Sequence, residues 1–312
     1  MTTVTHSRDL RKRNRFKFNW KRDLPLWGLI LPAMIYVLLF RYKSFLGIQI
    51  AFKNYRITKD MWDCAWTGLK NFDKLFGNPL FTTVLKNTVI ISLLKIAIGF
   101  PAPVIVALML NEVRSTKYKR TLQTVMYLPH FLSWVVVGSL VFMFFAPESG
   151  VLSQMWKSMT GSPINIMMDP KTFRWLLVFS DIWKGVGWGT IVYMAALSGI
   201  DAELYEAAHI DGANRPQQVW YITLPCLMPT IMTMLVLRMG GILNAGFDQI
   251  FVLQNDLVYR VSEVIDTYVY RISFSQGQYS VGAAADLFQS VIGLIFVVVA
   301  NKVSSLFDQE VL

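Results

Sequence analysis

Six long apolar stretches, separated by polar connections, dominate the pattern of this 312-residue chain. About 20 consecutive apolar residues in a helix cross the roughly 30 Å of hydrocarbon in a bilayer. Because backbone amides find no water in that layer, stretches of this length are predicted to be helices, and the pattern lacks the ten-residue alternation of a barrel. The predicted spans are 24–40, 84–110, 122–146, 174–197, 226–246 and 282–301.

Composition and charge support an integral membrane protein. Hydrophobic residues make up 54% of the chain and charged residues only 16%, which excludes an ordinary soluble or disordered chain. The net charge of +10 is concentrated in a basic tail, residues 1–23, ahead of a single membrane domain, 24–312. A basic run beside an apolar span predicts a cytoplasmic tail in contact with membrane lipid, and no nucleic-acid partner. Six spans then place both termini in the cytoplasm.

Motifs for catalysis and for nucleotide binding are missing from the sequence. It contains no G-x-x-x-x-G-K-[ST], H-E-x-x-H or G-x-S-x-G pattern. The three histidines and two cysteines are scattered, so neither a metal site nor a disulfide is expected. The glycines within 185–189 lie in an apolar span, which favours close helix packing over phosphate binding. The chain is therefore predicted not to be an enzyme.

The connection between the fourth and fifth spans, residues 198–225, is net acidic although it is predicted to be cytoplasmic. Asp201 is predicted to cap a short helix over 202–210, and Gly212 suits the following turn because glycine tolerates a positive φ. A second short helix leads to Pro225 at the start of the fifth span. Small alanines on one face and acids on another are suited to docking into a protein cleft.

This connection carries the sequence EAAHIDGANRPQQVWYITLP, which resembles the EAA loop of the membrane subunits of binding-protein-dependent ABC importers, with the pattern E-A-A-x-x-D-G-A-x(8)-I-x-L-P. YLPHF and DIWKGVGW resemble the sugar-importing branch, and LRMGGILNAGFDQIFVL resembles the permeases for polymeric sugars such as alginate. The resemblance implies an all-α membrane protein with six transmembrane helices of the type I importer permease fold. It also implies a cytoplasmic coupling helix between helices 4 and 5, formed by Glu206, Ala207, Ala208, Asp211, Gly212 and Ala213.

The resemblance further implies a subunit of an ATP-driven importer that moves an oligosaccharide across the bacterial inner membrane by alternating access. The implied partners are a second homologous permease, two ATP-binding subunits and an extracytoplasmic solute-binding protein. ATP and Mg²⁺ would be bound by those ATP-binding subunits, so no cofactor is expected on this chain.

Polar and aromatic residues within the spans favour a path for a carbohydrate. Polar groups in a bilayer usually face a bundle interior or a water-filled path, and sugars offer C–H faces to indoles and hydroxyls to polar groups. Asp181 and Lys184 lie three residues apart on one helix and can pair, for structure or for substrate contact. The cationic side chains in these segments favour an anionic sugar such as a uronate; they are Lys184, His130 and Arg238. The predicted path residues are His130, Trp134, Asp181, Trp183, Lys184, Trp188, Asn244, Asp248 and Gln249. The resemblance implies Gly185 as a further path residue.

Two other classes of protein are alternatives. A secondary, ion-coupled sugar transporter needs inverted repeats and a carboxylate near the middle of the membrane; Asp181 could be that carboxylate, but no repeat is visible. A membrane-embedded enzyme would leave catalytic motifs that the sequence lacks.

Overall fold

The structure is a computed structural model that describes residues 20–305. Residues 1–19 of the predicted basic tail and the C-terminal residues 306–312 lie outside the described residues. Two compact units make up the chain, one ending at Gln49 and one beginning at Ile50. The prediction of a single domain from residue 24 stays a prediction.

Thirteen helices of the described residues are named in chain order. They are α1 (Leu24–Phe52), α2 (Lys70–Phe76), α3 (Pro79–Asn111), α4 (Thr116–Phe131), α5 (Trp134–Phe145), α6 (Val151–Thr160), α7 (Pro170–Ser198), α8 (Ala202–Ile210), α9 (Arg215–Met239), α10 (Phe247–Leu253), α11 (Tyr259–Ser262), α12 (Ile265–Tyr270) and α13 (Tyr279–Ser304).

Four helices of the described part are long and apolar enough to cross a membrane, namely α1, α3, α9 and α13, and the bent pair α4–α5 counts as a fifth. Helix α7 has 29 residues and a length of roughly 44 Å, but Asp181 and Lys184 lower its hydropathy. Between residues 20 and 305 the β pairing is limited to one isolated bridge, Lys53 to Trp66. The all-α membrane fold predicted from the sequence is confirmed.

The structure differs from the predicted continuous helix over 122–146. The chain bends by 103° between α4 and α5. Pro129 lacks the N–H that would continue the helical hydrogen bonds. Ser133 then starts the second helix, because its hydroxyl accepts a hydrogen bond from the Val136 amide at 3.3 Å. The last turn before the break lies against α7, where His130 stacks on Trp188.

The fifth span also differs from its prediction, because α9 ends at Met239 rather than near residue 246. The two glycines that follow allow the chain to turn beside α13. A Cβ added to Gly293 of α13 would lie 2.8 Å from the carbonyl oxygen of Gly240. This backbone contact leaves no room for larger residues and directs the chain into α10.

Wide π-helical turns interrupt two spans just before a proline. They cover Lys95–Gly99, ahead of Pro101 in α3, and Val219–Thr223, ahead of Pro225 in α9. Proline removes a backbone hydrogen bond and crowds the preceding turn, so the helix accommodates it by widening. In α3 the wide turn places Lys95 inside the bundle, where it is only 5% exposed.

Helix α7 packs closely against α3 and α4 because glycines line its contacts. A Cβ on Gly187 would contact the backbone carbonyl of Met126 in α4, and one on Gly189 would lie 2.9 Å from Pro103 in α3. Nothing lies within 4 Å of a Cβ at Gly185. The packing role predicted for these glycines is confirmed for Gly187 and Gly189, whereas Gly185 faces open space.

Replacement of Gly187 by valine is expected to destabilise the protein. Overpacking of a tight contact costs about 1–3 kcal/mol, and here the obstacle is backbone that cannot rotate away. The measurement is thermal unfolding of the detergent-purified protein, with Gly185→Ala as the stability control because its new methyl group meets no atom. An unchanged unfolding temperature for the Gly187 variant would show that α7 does not require this contact.

Candidate functional site

The helix-turn-helix between α7 and α9 forms as the sequence predicts. The Asp201 carboxylate caps α8 by accepting a hydrogen bond from the Glu203 amide at 3.0 Å. Gly212 adopts φ +79° at the turn. The side chains of Asn214 and Gln217 then cap the start of α9 reciprocally, at 2.8 and 3.0 Å. The predicted cap, helix and turn are confirmed.

The residues predicted to couple this chain to an ATPase lie together on the surface of α8 and its turn. Glu206, Ala207, Asp211 and Gly212 are exposed, and Ala208 and Ala213 are half-buried. Beside them, Ile210 is 85% exposed. A large apolar side chain exposed among acids and alanines is suited to burial by a protein partner.

Side-chain hydrogen bonds join α8 to the first turns of α9. The Tyr205 hydroxyl lies 2.9 Å from the Thr223 hydroxyl, and the Gln218 amide donates to the Ala213 carbonyl at 3.1 Å. Thr223 also donates to the Gln218 carbonyl at 3.3 Å. A force applied to α8 therefore reaches α9 through the Tyr205–Thr223 contact as well as through the backbone. Tyr205 and Gln218 were not among the residues singled out in the sequence, although Tyr205 directly precedes the EAA segment.

A cleft of about 430 Å³ lies among α3, α4, α7 and α9. Its lining includes a stacked pair, His130 on Trp188, with ring centroids 4.5 Å apart and planes within 4°. The break between α4 and α5 brings the histidine to α7, and Gly185 leaves space beside it. The polar, aromatic and glycine residues that line the cleft include four of the predicted path residues and one cation, namely His130, Asp181, Gly185, Trp188 and Arg238.

Lys184 and Trp134 hold the bend next to this cleft. The Lys184 ammonium donates to the carbonyl oxygen of His130 at 2.7 Å and lies 5.6 Å from the centre of the Trp134 ring. The predicted pair between Asp181 and Lys184 is wrong, because Lys184 turns to the α4–α5 break. Asp181 instead lies 3.5 Å from the Lys95 ammonium and 3.9 Å from the Arg238 guanidinium.

Lys95 links three segments below the cleft. It donates to the Ala245 carbonyl at 2.8 Å and to the side-chain oxygen of Gln249, in addition to its ion pair with Asp181. Gln249 is fully buried, and its amide donates to the Leu177 carbonyl at 2.7 Å and to the Ser180 hydroxyl at 2.8 Å. Gln249 therefore holds α10 against α7 and does not reach the cleft as predicted. The feature of the sequence that could have indicated a buried role for Lys95 is its position inside an apolar span, shortly before Pro101.

Three other predicted path residues lie away from the cleft. Trp183 lines a separate apolar cleft of about 360 Å³ between α5 and α7. Asn244 lines a pocket of about 260 Å³ beside α13, and Asp248 is exposed on α10. Helical geometry explains why Trp183 lies away from the cleft that Asp181 lines, because a residue two positions after Asp181 is rotated by about 200° around the helix. The described residues contain no group of three or more His, Cys, Asp or Glu arranged for a metal ion.

Comparison with known proteins identifies the family. Residues 99–311, which contain the cleft and the α8 loop, match the family described as binding-protein-dependent transport system inner membrane component. Protein LplB of Bacillus subtilis is 44% identical over 290 residues, covering 93% of this chain and 91% of that protein. The polygalacturonan/rhamnogalacturonan transport system permease protein YteP of the same organism is 40% identical, covering 96% of this chain and 93% of that protein.

A solved structure shares the fold. It is a chain of a bacterial ABC transporter involved in the import of the acidic polysaccharide alginate, with 40% sequence identity and a TM-score of 0.85, covering 92% of this chain and 96% of that chain. A second structure of an alginate ABC transporter, in complex with a periplasmic protein that holds an alginate pentasaccharide, matches with a TM-score of 0.84. The chain therefore belongs to the family of inner membrane components of binding-protein-dependent transport systems.

Proposed function

We propose that this chain is a permease subunit of an ATP-driven sugar importer and that an oligosaccharide crosses the inner membrane by alternating access. The observation that carries the proposal is the exposed EAA helix-turn-helix, which is hydrogen-bonded to the start of a membrane-spanning helix. A partner that moves α8 would thereby tilt α9, one wall of the 430 Å³ cleft.

The complex requires subunits that this chain does not contain. Two ATP-binding subunits dock on the EAA surfaces, bind ATP and Mg²⁺ and supply the energy. A second homologous permease completes the path, and an extracytoplasmic solute-binding protein delivers the substrate. The two alginate transporter structures, one with its periplasmic protein, support this assembly by similarity. This chain contributes no catalytic residue.

The orientation in the inner membrane follows from the docking surface. ATP is available in the cytoplasm, so α8 faces that side. Arg114, after α3, lines the same cleft of about 520 Å³ as Tyr205 and Arg215, so the connection 112–115 lies at the α8 end of the bundle. The start of α4, which follows it directly, carries the cations Lys117, Lys119 and Arg120. Cytoplasmic basic residues agree with the positive-inside trend. With six spans, α7 counted among them, this orientation assigns the N- and C-termini to the cytoplasm as well.

The substrate class is an oligosaccharide that stacks on aromatic rings. YteP is named for polygalacturonan and rhamnogalacturonan transport, and the alginate transporter imports an acidic polysaccharide. Within this chain, the His130–Trp188 stack offers a flat surface beside polar groups, the combination that a sugar ring requires. His130, Asp181, Gly185 and Trp188 are the residues we assign to substrate contact.

Reconstitution tests this function. Proteoliposomes with both permeases, the ATP-binding subunits and the binding protein are expected to accumulate labelled oligosaccharide only with internal ATP. An imposed proton or sodium gradient without ATP is the matched control and is expected to give no uptake. Uptake driven by the gradient alone would instead identify a secondary transporter.

A further inference from the structure

The cleft has an unbalanced positive charge. One carboxylate of its wall, that of Asp181, faces two cations: Lys95, which is buried behind the wall, at 3.5 Å, and Arg238, which lines the cleft, at 3.9 Å. These three groups together carry a formal charge of +1. Lys95 is buried and already makes hydrogen bonds to Ala245 and Gln249, so its position is fixed. The charge that remains available to a ligand is that of Arg238.

The Arg238 guanidinium has hydrogen-bonding capacity to spare. Its distance of 3.9 Å to Asp181 exceeds the roughly 2.7–2.9 Å of a charge-assisted hydrogen bond. Within residues 24–304 its side chain makes no hydrogen bond, and it is 53% exposed while lining the cleft. A guanidinium carries five N–H donors in a planar fork that matches the two oxygens of a carboxylate.

An aromatic surface lies in the same cleft as this cation. Trp188 is 48% exposed although one side of its ring is stacked on His130. No other atom fills the space next to Gly185. The volume of about 430 Å³ lies within the roughly 300–1,000 Å³ that is typical of ligand sites. A pyranose ring that lies on the indole can therefore direct a ring substituent toward the wall that carries Arg238.

We infer that Arg238 is the carboxylate receptor of the translocation path and that the transported sugar is a uronate oligosaccharide, held by its carboxylate at Arg238 and by its ring at Trp188. The inference rests on the proposed function. Asp181 has a positioning role: it keeps the guanidinium at the cleft wall without satisfying its donors. A neutral oligosaccharide would offer no carboxylate to the hydrogen-bond donors of Arg238 in this membrane-embedded cleft.

The experiment compares two probes of equal length, trigalacturonate and its fully methyl-esterified form, in ATP-driven uptake by the reconstituted transporter. The readout is the ratio of acid to ester uptake in each variant relative to the unmodified complex, so the preference of the shared binding protein cancels. Arg238→Gln is expected to lower this ratio at least tenfold. Arg238→Lys, which keeps the charge but loses the fork, is expected to give an intermediate ratio.

A matched control is Lys86→Gln, which removes a cation from the exposed surface of α3 outside the cleft and is expected to keep the ratio. An unchanged ratio in Arg238→Gln, or an equal loss of both probes, would overturn the inference and make Arg238 structural. Co-purification with the partner subunits checks assembly. If Arg238→Gln does not assemble, Arg238→Lys is measured instead: a lowered acid-to-ester ratio supports the inference, and an unchanged ratio or an equal loss of both probes overturns it. Failure of the unmodified complex to take up either probe with ATP would count against the proposed function itself.

Discussion

Replacement of Gly212 by valine is expected to reduce both sugar uptake and substrate-stimulated ATP hydrolysis about tenfold or more. Gly212 has φ +79°, a conformation that costs a β-branched residue about 1–3 kcal/mol. No atom lies within 4 Å of the added Cβ, so the cost arises from the backbone and not from a collision. Relief of this strain changes the angle between α8 and α9 and moves the docking surface. ATPase assays on the reconstituted complex, with and without substrate-loaded binding protein, measure the effect.

Gly161 provides the matched control for this experiment. It also has φ +79° with nothing within 4 Å, but it ends α6 and does not belong to the EAA loop. Gly161→Val therefore carries the same backbone strain and is expected to keep stimulated ATP hydrolysis near the unmodified level. Unimpaired stimulation in Gly212→Val, or the same loss in both variants, would contradict the assignment of the α8 turn to coupling.

Replacement of Trp188 by alanine is expected to lower uptake about tenfold without loss of assembly. The variant removes the ring that stacks on His130 and the indole surface that we assign to the sugar. Aromatic contacts contribute about 0.5–1.5 kcal/mol each, and about 1.4 kcal/mol corresponds to tenfold. Labelled oligosaccharide uptake with saturating ATP measures the loss, and co-purification with the ATP-binding subunits measures assembly.

Trp175 is the control for this second experiment. It lies on the same helix, is 44% exposed and stacks on Phe179, which does not line the 430 Å³ cleft. Trp175→Ala is expected to keep both uptake and assembly. If Trp188→Ala instead lost assembly together with uptake, the tryptophan would be a packing residue and the substrate role would have to move elsewhere in the cleft.

The EAA loop could be predicted in detail because its structure depends on neighbours in sequence. A capping carboxylate, alanines and a glycine that tolerates positive φ determine where a short helix starts and stops. Asp201 and Gly212 have these roles in the structure. The exposed position of this loop also followed from its polarity.

The path residues could be predicted only in part. Asp181, Gly185 and Trp188 share one face of α7 by helical spacing, and they meet at the cleft. Trp183 has the same chemistry but points about 200° away, a difference that the helical period alone would have revealed. Gln249 looked like a path residue by composition, yet it is buried with partners from α3 and α7.

Ion pairing was decided by tertiary contacts. The prediction that Asp181 pairs with Lys184 used sequence distance, but the partners of Asp181 are 86 and 57 residues away along the chain, at Lys95 and Arg238. No local pattern contains that information, because it depends on a wide turn before Pro101, a bend after Pro129 and the end of α9 at a glycine pair.

Membrane insertion, helical class and the conformation of the EAA loop were determined by the sequence itself, since hydrophobic length and local backbone preference act over a few turns of chain. The cleft, the ion pairs of Asp181 with Lys95 and Arg238, and the separation of Trp183 from Trp188 were decided only when the helices packed. Burial makes an unpaired charge costly, so the buried Lys95 takes the partners that the packing brings within reach.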